Sequence, residues 1–356
     1  MGHKGPSLLL AVLIAIIFAS HSFAEGLVMS HHIAVSSDYE DNVYEAVENE
    51  KGDEVGRLFY DFELHWPITT NNLWDTDYQL GLKKYLHYDD LDAMINQIAL
   101  GYTYKGLESY YFKGDSTFKL RNTRNGLQDY NKLILGTTVG KEFQEQVTLE
   151  ARAEYTRFDF KDYNYFDYWQ RKGGVSLDKV FAKYLSSEIS YFLTEKHFTF
   201  NAYRNAGFTS YGPILEESNH LRRDTIHEVT ANMNISYWLL AKFEYTFGIN
   251  ESNSYGDTYY THRFIIAASK EIFKDTDIHL LGVFQFHSSS QALLIPHSNA
   301  IEEEDENYNQ ATARLTHAFK DWVSLEAGYS RYWSLYSAQK FNFAKNVYSI
   351  GVSFKF

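Results

Sequence analysis

The sequence has no cysteine, and only 4 prolines and 21 glycines in 356 residues. Without cysteine there is no disulfide scaffold, thiol enzyme, zinc ribbon, iron–sulfur site or lipobox for a lipid anchor. Basic residues are the minority, 33 against 46 acidic, and the net charge of -13 argues against an electrostatic nucleic-acid binder. Long apolar runs are scarce as well. Beyond residue 24 none reaches the length of a membrane-spanning helix, which excludes a helical inner-membrane protein. Aromatic residues are plentiful: 6 Trp, 29 Tyr and 26 Phe, yet the mean hydropathy is -0.40. So many aromatics argue against disorder.

The first residues are predicted to lie outside the fold. Lys4 precedes an unbroken apolar run, Leu8 to Phe18, and Ser22-Phe23-Ala24 is a small-x-small cleavage pattern. That layout predicts a signal peptide over residues 1–24, cleaved after Ala24; the competing reading is a buried core helix. Residues 25–356 are then a single domain, either exported and soluble or an outer-membrane barrel.

Alternation decides between these. In β-strands successive side chains point to opposite faces. Leu58, Tyr60, Phe62, Leu64 and Trp66 alternate with Arg57, Phe59, Asp61, Glu63 and His65. Val147, Leu149, Ala151, Ala153 and Tyr155 alternate with Thr148, Glu150, Arg152, Glu154 and Thr156. The same period runs through Ala241 to Ile249 and Asn346 to Phe356. A soluble sandwich also alternates, but repeated segments of about 9–11 residues suit a tilted strand crossing a bilayer.

Connections fall into two kinds. Short ones are expected at 67–72, 141–146, 270–275 and 319–321, and long polar ones at 40–56, 122–129, 159–167, 196–221, 251–258, 288–306 and 335–344. Tight periplasmic turns alternating with longer external loops are what an outer-membrane barrel requires. The fold class expected is all-β: a closed antiparallel transmembrane β-barrel of about sixteen strands, with fourteen as the alternative if 104–121 and 178–224 hold fewer. Trp66, Trp74, Tyr104, Tyr155, Trp322, Tyr329 and Trp333 fall near predicted strand ends, where amphipathic rings suit the headgroup level. The alternative for these rings is ordinary sheet packing.

The chain closes on Ser349-Ile350-Gly351-Val352-Ser353-Phe354-Lys355-Phe356. Ser349, Gly351, Phe354 and the terminal Phe356 resemble the assembly signal of Gram-negative outer-membrane β-barrels, read by the barrel assembly machinery. Near the start, Ser36-Ser37-Asp38-Tyr39-Glu40-Asp41-Asn42-Val43-Tyr44 resembles the opening strand of the barrel of surface lipoprotein assembly modifiers and of barrels fused to TPR repeats in polysaccharide export. The resemblance implies a porin-like barrel in a bacterial outer membrane. The implied partners are lipopolysaccharide and outer-membrane lipid, the assembly machinery and small polar solutes.

If the apolar faces meet lipid, the polar faces line the lumen. That assigns Asp61, Glu63, Asp75, Asp77, Lys83, Glu150, Arg152, Glu154, Glu228, Lys242, Glu244, Arg314 and Glu326 inward. Charged rings set pore selectivity, and the excess of acids predicts a weakly cation-preferring or solute-selective diffusion channel. The alternative is that these charges pair across strands and merely solvate or plug the interior. Two acidic stretches, Ile301 to Glu306 and the loop with Glu40, Asp41, Glu45, Glu48, Glu50, Asp53 and Glu54, are read as solvated loops rather than cation sites. No metal site and no cofactor is expected, since neither a calcium-loop motif nor an H-E-x-x-H occurs. No catalytic residue is assigned. A barrel hydrolase would have to draw on His87, Asp89 and Asp90, and a structural or adhesin-type barrel is the other alternative to a channel.

Overall fold

The computed structural model describes residues 26–107, 109–126, 128–143, 146–161, 166–209, 212–289, 309–334 and 342–356. The predicted signal peptide and the acidic run Ile301 to Glu306 lie outside the described residues. The strands are β1 Val28–Glu40, β2 Asp53–Thr69, β3 Asn72–Tyr85, β4 Ala93–Leu107, β5 Tyr110–Thr123, β6 Tyr130–Phe143, β7 Val147–Phe160 and β8 Tyr168–Ala182. They continue as β9 Leu185–Thr209, β10 Gly212–Ser236, β11 Leu240–Ser252, β12 Tyr259–Phe273, β13 Thr276–Ser289, β14 Asn309–Lys320, β15 Val323–Trp333 and β16 Ala344–Lys355. Each pairs antiparallel with its sequence neighbours, and β1 pairs with β16, so the sixteen strands form one closed barrel. Closure removes the unpaired edge that a membrane cannot satisfy. At the seam the Phe356 N–H donates to the His31 carbonyl at 2.9 Å and the His31 N–H donates back at 3.0 Å.

One end of the barrel carries the tight connections 70–71, 183–184, 274–275 and 321–322, and Ser109 just before β5. Ser109 and Asp275 adopt positive φ there, as tight hairpin turns demand. The other end carries 41–52, 86–92 and 253–258. Sixteen is the count the alternation predicts.

The main departure is at 196–221. That stretch is expected as a loop, yet β9 runs on to Thr209 and β10 begins at Gly212, each a 25-residue strand. The reason is chemical. Past Lys196 the outward face of β9 carries His197, Thr199 and Asn201 while the apolar Phe198, Phe200 and Ala202 fall on the inner, otherwise polar face, so the alternation changes sides. The paired backbone continues regardless, with register shifts near Leu215 and Leu221.

One face of the barrel wall is exposed and apolar. Leu135, Val139, Leu149, Val175, Leu177, Ile189, Val229, Phe243, Ile266, Leu280, Leu315 and Ile350 are all exposed. An apolar surface of this extent belongs against lipid. Near the tight turns it ends in exposed rings: Trp66, Tyr104, Tyr110, Phe143, Phe181, Tyr237, Trp238, Phe273, Phe319 and Trp322. Lysines sit over several of these, Lys270 Nζ at 4.5 Å from the Trp238 ring and Lys141 Nζ at 4.8 Å from Tyr110. Of the rings named from sequence, Trp66 and Trp74 pair across β2 and β3, and Tyr155 and Tyr329 are exposed farther along the wall. Trp333 packs edge-on against Phe284 at 5.9 Å.

Candidate functional site

Directly paired residues in a sheet share a face, so the register can be followed around the barrel. Asp61, Glu63, Asp75, Asp77 and Lys83 share one face of β2 and β3. The same face continues through Asp115 and Gly136 to Glu154, Arg152 and Glu150. It reaches Glu228 across Phe192, then Lys242 and Glu244 in β11. From there it passes to Arg314 and Glu326, and Gly351, Ser36 and Arg57 return it to β2. Every charged residue proposed from the alternation therefore lies on a single continuous polar face.

Several of these side chains reach over an intervening strand. Arg152 on β7 donates both guanidinium nitrogens to Asp115 on β5, at 2.9 and 3.0 Å, and also meets Glu154 at 3.3 Å. Beside it the Tyr111 hydroxyl donates to Glu150, with Lys113 Nζ 3.7 Å from the same carboxylate. Both bridges cross β6, and at the crossing points β6 carries Gly136 and Gly140. A Cβ at either position would collide with the bridging side chains. These glycines are spaces left for charge pairing, a role invisible without the register. Farther round, Lys172 on β8 reaches Glu228 on β10 at 3.0 Å, over β9. Lys242 meets Glu244 at 2.7 Å and Arg314 meets Glu326 at 3.7 Å.

On β2 and β3 the arrangement is opposite. Glu63 stands directly across from Asp77, and the carboxylates of Asp61, Glu63 and Asp77 come within 4.8 Å of one another. One oxygen each of Asp61 and Asp77 is buried without a hydrogen-bond partner. Among the described residues this trio is the set able to hold a metal ion. Asp61 and Glu63 are neighbours on one face of β2, and the hairpin register brings Asp77 to them. Asp75 is tied to His65 at 2.7 Å.

The acidic loop at 40–54 departs from the expectation of a solvated loop. Glu40, Asn42 and Asp53 are almost fully buried. Glu40 accepts from Arg57 at 2.6 Å, and Glu45 pairs with Lys345 at 2.6 Å. The Asn42 side-chain amide donates to the Ala46 and Ala344 carbonyls, while Asp41 accepts from the backbone and side chain of Asn346. Val43 packs on Val55 and Tyr85, which lie on the polar face, so residues 41–52 fold against that face. Two valines and a tyrosine among acids and asparagines are too weak a pattern to show this in sequence.

A second departure is an aromatic cluster on the same face. Tyr130, Phe158 and Phe160 are buried with Phe166 and Tyr168. Phe158 and Tyr168 stack with centroids 5.1 Å apart and planes 3° apart. Lys196 Nζ sits 3.9 Å from the Tyr168 ring, and Arg222 lies over Phe198 while binding Asp224 at 2.6 Å.

The residues a hydrolase would need are spread among separate partners. His87 Nδ1 lies 2.8 Å from buried Asp53, Arg124 holds Asp89, and the Tyr44 hydroxyl donates to Asp90. Of the terminal signal, Ser349 and Gly351 lie on the polar face, and Phe354 and Phe356 lie on the other, both stacked on Trp322. A Cβ at Gly351 would press on the Val35 carbonyl and Ser36 in the neighbouring strand.

No family model matches the sequence, and no curated protein matches it. Solved structures do. CdiB from Acinetobacter baumannii aligns with a TM-score of 0.50 at 8% identity, over 91% of this chain and 60% of its own. OpdL of Pseudomonas aeruginosa aligns at 0.46 and 10% identity, over 94% and 99%. A bacterial polysaccharide outer membrane secretin aligns at 0.45 and 9%, over 92% and 98%. The chain has the fold of an outer-membrane β-barrel. At these identities the likeness shows the fold alone.

Proposed function

We propose that the polar face lines a water-filled lumen and that the protein is an outer-membrane channel for passive diffusion of small polar solutes or ions. The observation that carries this reading is the gathering of all the alternation-derived charges onto one face of a closed sixteen-strand sheet, opposite the apolar wall. Barrels of about eight strands fill with side chains, whereas about sixteen leave an aqueous channel. The bridges that pass over whole strands support this face as the inner one, because side chains converge only on a concave surface. In this reading a signal peptide over residues 1–24 directs export, and Ser349, Gly351, Phe354 and Phe356 present the last strand to the assembly machinery. Lipopolysaccharide surrounds the external rim.

Liposome swelling tests the channel. Vesicles holding the refolded protein should swell in isotonic solutions of small sugars or amino acids, and swelling should slow as solute size rises. Absence of swelling with a folded barrel would favour a structural or adhesin-type barrel. The inward-folded 41–52 segment and the aromatic cluster are the observations on that side. A hydrolase has less support, because His87, Asp89 and Asp90 are engaged by three different partners.

A further inference from the structure

The exposed rings near the tight turns come with cations of their own. Lys141 Nζ stands 4.8 Å from the Tyr110 ring and 4.9 Å from Phe143. Lys179 lies 5.3 Å from Phe181, Lys270 4.5 Å from Trp238, and Lys320 5.8 Å from Trp322. Each of these lysines falls in the last four residues of its strand, at the tight-turn end.

The register puts all of them on the outward face. Lys141 pairs with Leu149, Lys179 with Val147, Lys270 with Ile278 and Lys320 with Val323. The acids beside them in sequence point the other way. Glu142 and Asp178 both pair with Thr148, and Glu271 pairs with Asp277, on the polar face. Lys141 and Glu142, Lys179 and Asp178, and Lys270 and Glu271 are therefore chain neighbours separated by the wall. Among the described strands no carboxylate stands on the outward face at this end. Among the described residues the close contacts of these lysines are the rings, with no carboxylate in ion-pair reach. At the loop end outward cations are answered instead, Lys84 by Asp92 and Arg157 by Asp159 at 2.9 Å.

An ammonium carried on an aromatic ring at the edge of an apolar wall lays its stem along that wall and its tip at the headgroup level. Its charge is left for a group outside the chain. A phosphate supplies the opposite charge, and anionic leaflets attract basic side chains placed this way. A zwitterionic headgroup brings an ammonium as well, and this rim offers no outward acid to meet it.

We propose that this lysine–aromatic rim is a docking surface for anionic phospholipid headgroups of the periplasmic leaflet, phosphatidylglycerol being the class it fits. The tight turns mark the periplasmic side. The proposal does not rest on the channel reading, since a barrel with a closed lumen would carry the same rim.

Native mass spectrometry of the full folded chain tests it. The protein is released from mixed micelles holding equal amounts of phosphatidylglycerol and phosphatidylcholine with identical acyl chains. The parent should retain phosphatidylglycerol about tenfold over phosphatidylcholine, and less so as salt rises. In Lys141→Gln/Lys179→Gln/Lys270→Gln/Lys320→Gln the preference should fall to about twofold or less. Lys84→Gln/Lys161→Gln, at the loop end, should keep the parent's preference within about twofold. If the quadruple variant does not fold, Lys141→Gln/Lys179→Gln and Lys270→Gln/Lys320→Gln should each lower the preference about threefold. Equal retention of the two lipids by the parent would overturn the proposal. So would a folded rim variant that keeps the parent's preference, or a loop-end variant that loses as much as the rim variant does.

Discussion

Two neighbouring stretches of the polar face handle charge in opposite ways. Over β5 to β7, acids and cations reach across a strand: Asp115 takes both nitrogens of Arg152, and Glu150 takes Tyr111 and Lys113. Over β2 and β3, Glu63 faces Asp77 with Asp61 beside them, and buried oxygens of Asp61 and Asp77 are left without partners. The first stretch spends its charge on holding the wall together. The second sets like charges against one another. Counting charged residues in the sequence cannot separate the two, because the distinction rests on which residues the register sets side by side.

Four substitutions press on that contrast. The largest effect is expected from Gly136→Leu, which places a side chain where the Asp115–Arg152 bridge crosses β6. Overpacking should cost about 1–3 kcal/mol, read as a lower urea midpoint for unfolding from detergent or vesicles. Arg152→Met should cost about 1–2 kcal/mol, less than a fully buried pair, because both partners are about a third exposed. Adding Asp115→Asn to it should recover most of that loss; no recovery would show that the bridge does not hold the wall. On β3 the sign should reverse. Asp77→Asn removes a like-charge opposition and should stabilise by about 0.2–1 kcal/mol in the same assay. It should also reduce cation preference, read as a smaller reversal potential in a salt gradient.

The smallest effect belongs to the loop end. Burial raises the Asp167 carboxyl, and the Phe160 N–H that it accepts at 2.7 Å only partly offsets this. A raised carboxyl means that the folded loop holds its proton more tightly than the unfolded chain does. Loop stability should therefore be greatest in mild acid and decline as pH rises through the elevated value. Hydrogen exchange at residues 166–168 should show that slope, and Asp167→Asn should flatten it.

Much of this was legible in the sequence, for a geometric reason. A strand of period two with one wall in lipid must be apolar at every second position, so strand number and the sharing of one face by Asp61, Glu150, Glu244 and Glu326 follow from spacing alone. The signal fades where the outer wall leaves lipid. Beyond Lys196 the alternation changes sides, with His197, Thr199 and Asn201 outward and Phe198, Phe200 and Ala202 on the other face, and strands there read as loop. It fades again where polar-face residues are apolar for packing, as Phe158, Tyr168 and Phe198 are. The pairing of Arg152 with Asp115, the trio at Asp61 and the burial of Glu40 depend on register between distant residues. No local pattern carries that information.

The claim beneath all of this is that the polar face encloses an open aqueous path. Single-channel recording of the folded protein in a planar bilayer tests it most directly. The account predicts discrete conductance steps in potassium chloride, whose reversal potential in a salt gradient shifts toward anions in Asp61→Asn/Asp77→Asn. A barrel that is folded and inserted yet gives no conductance step at any voltage would contradict it.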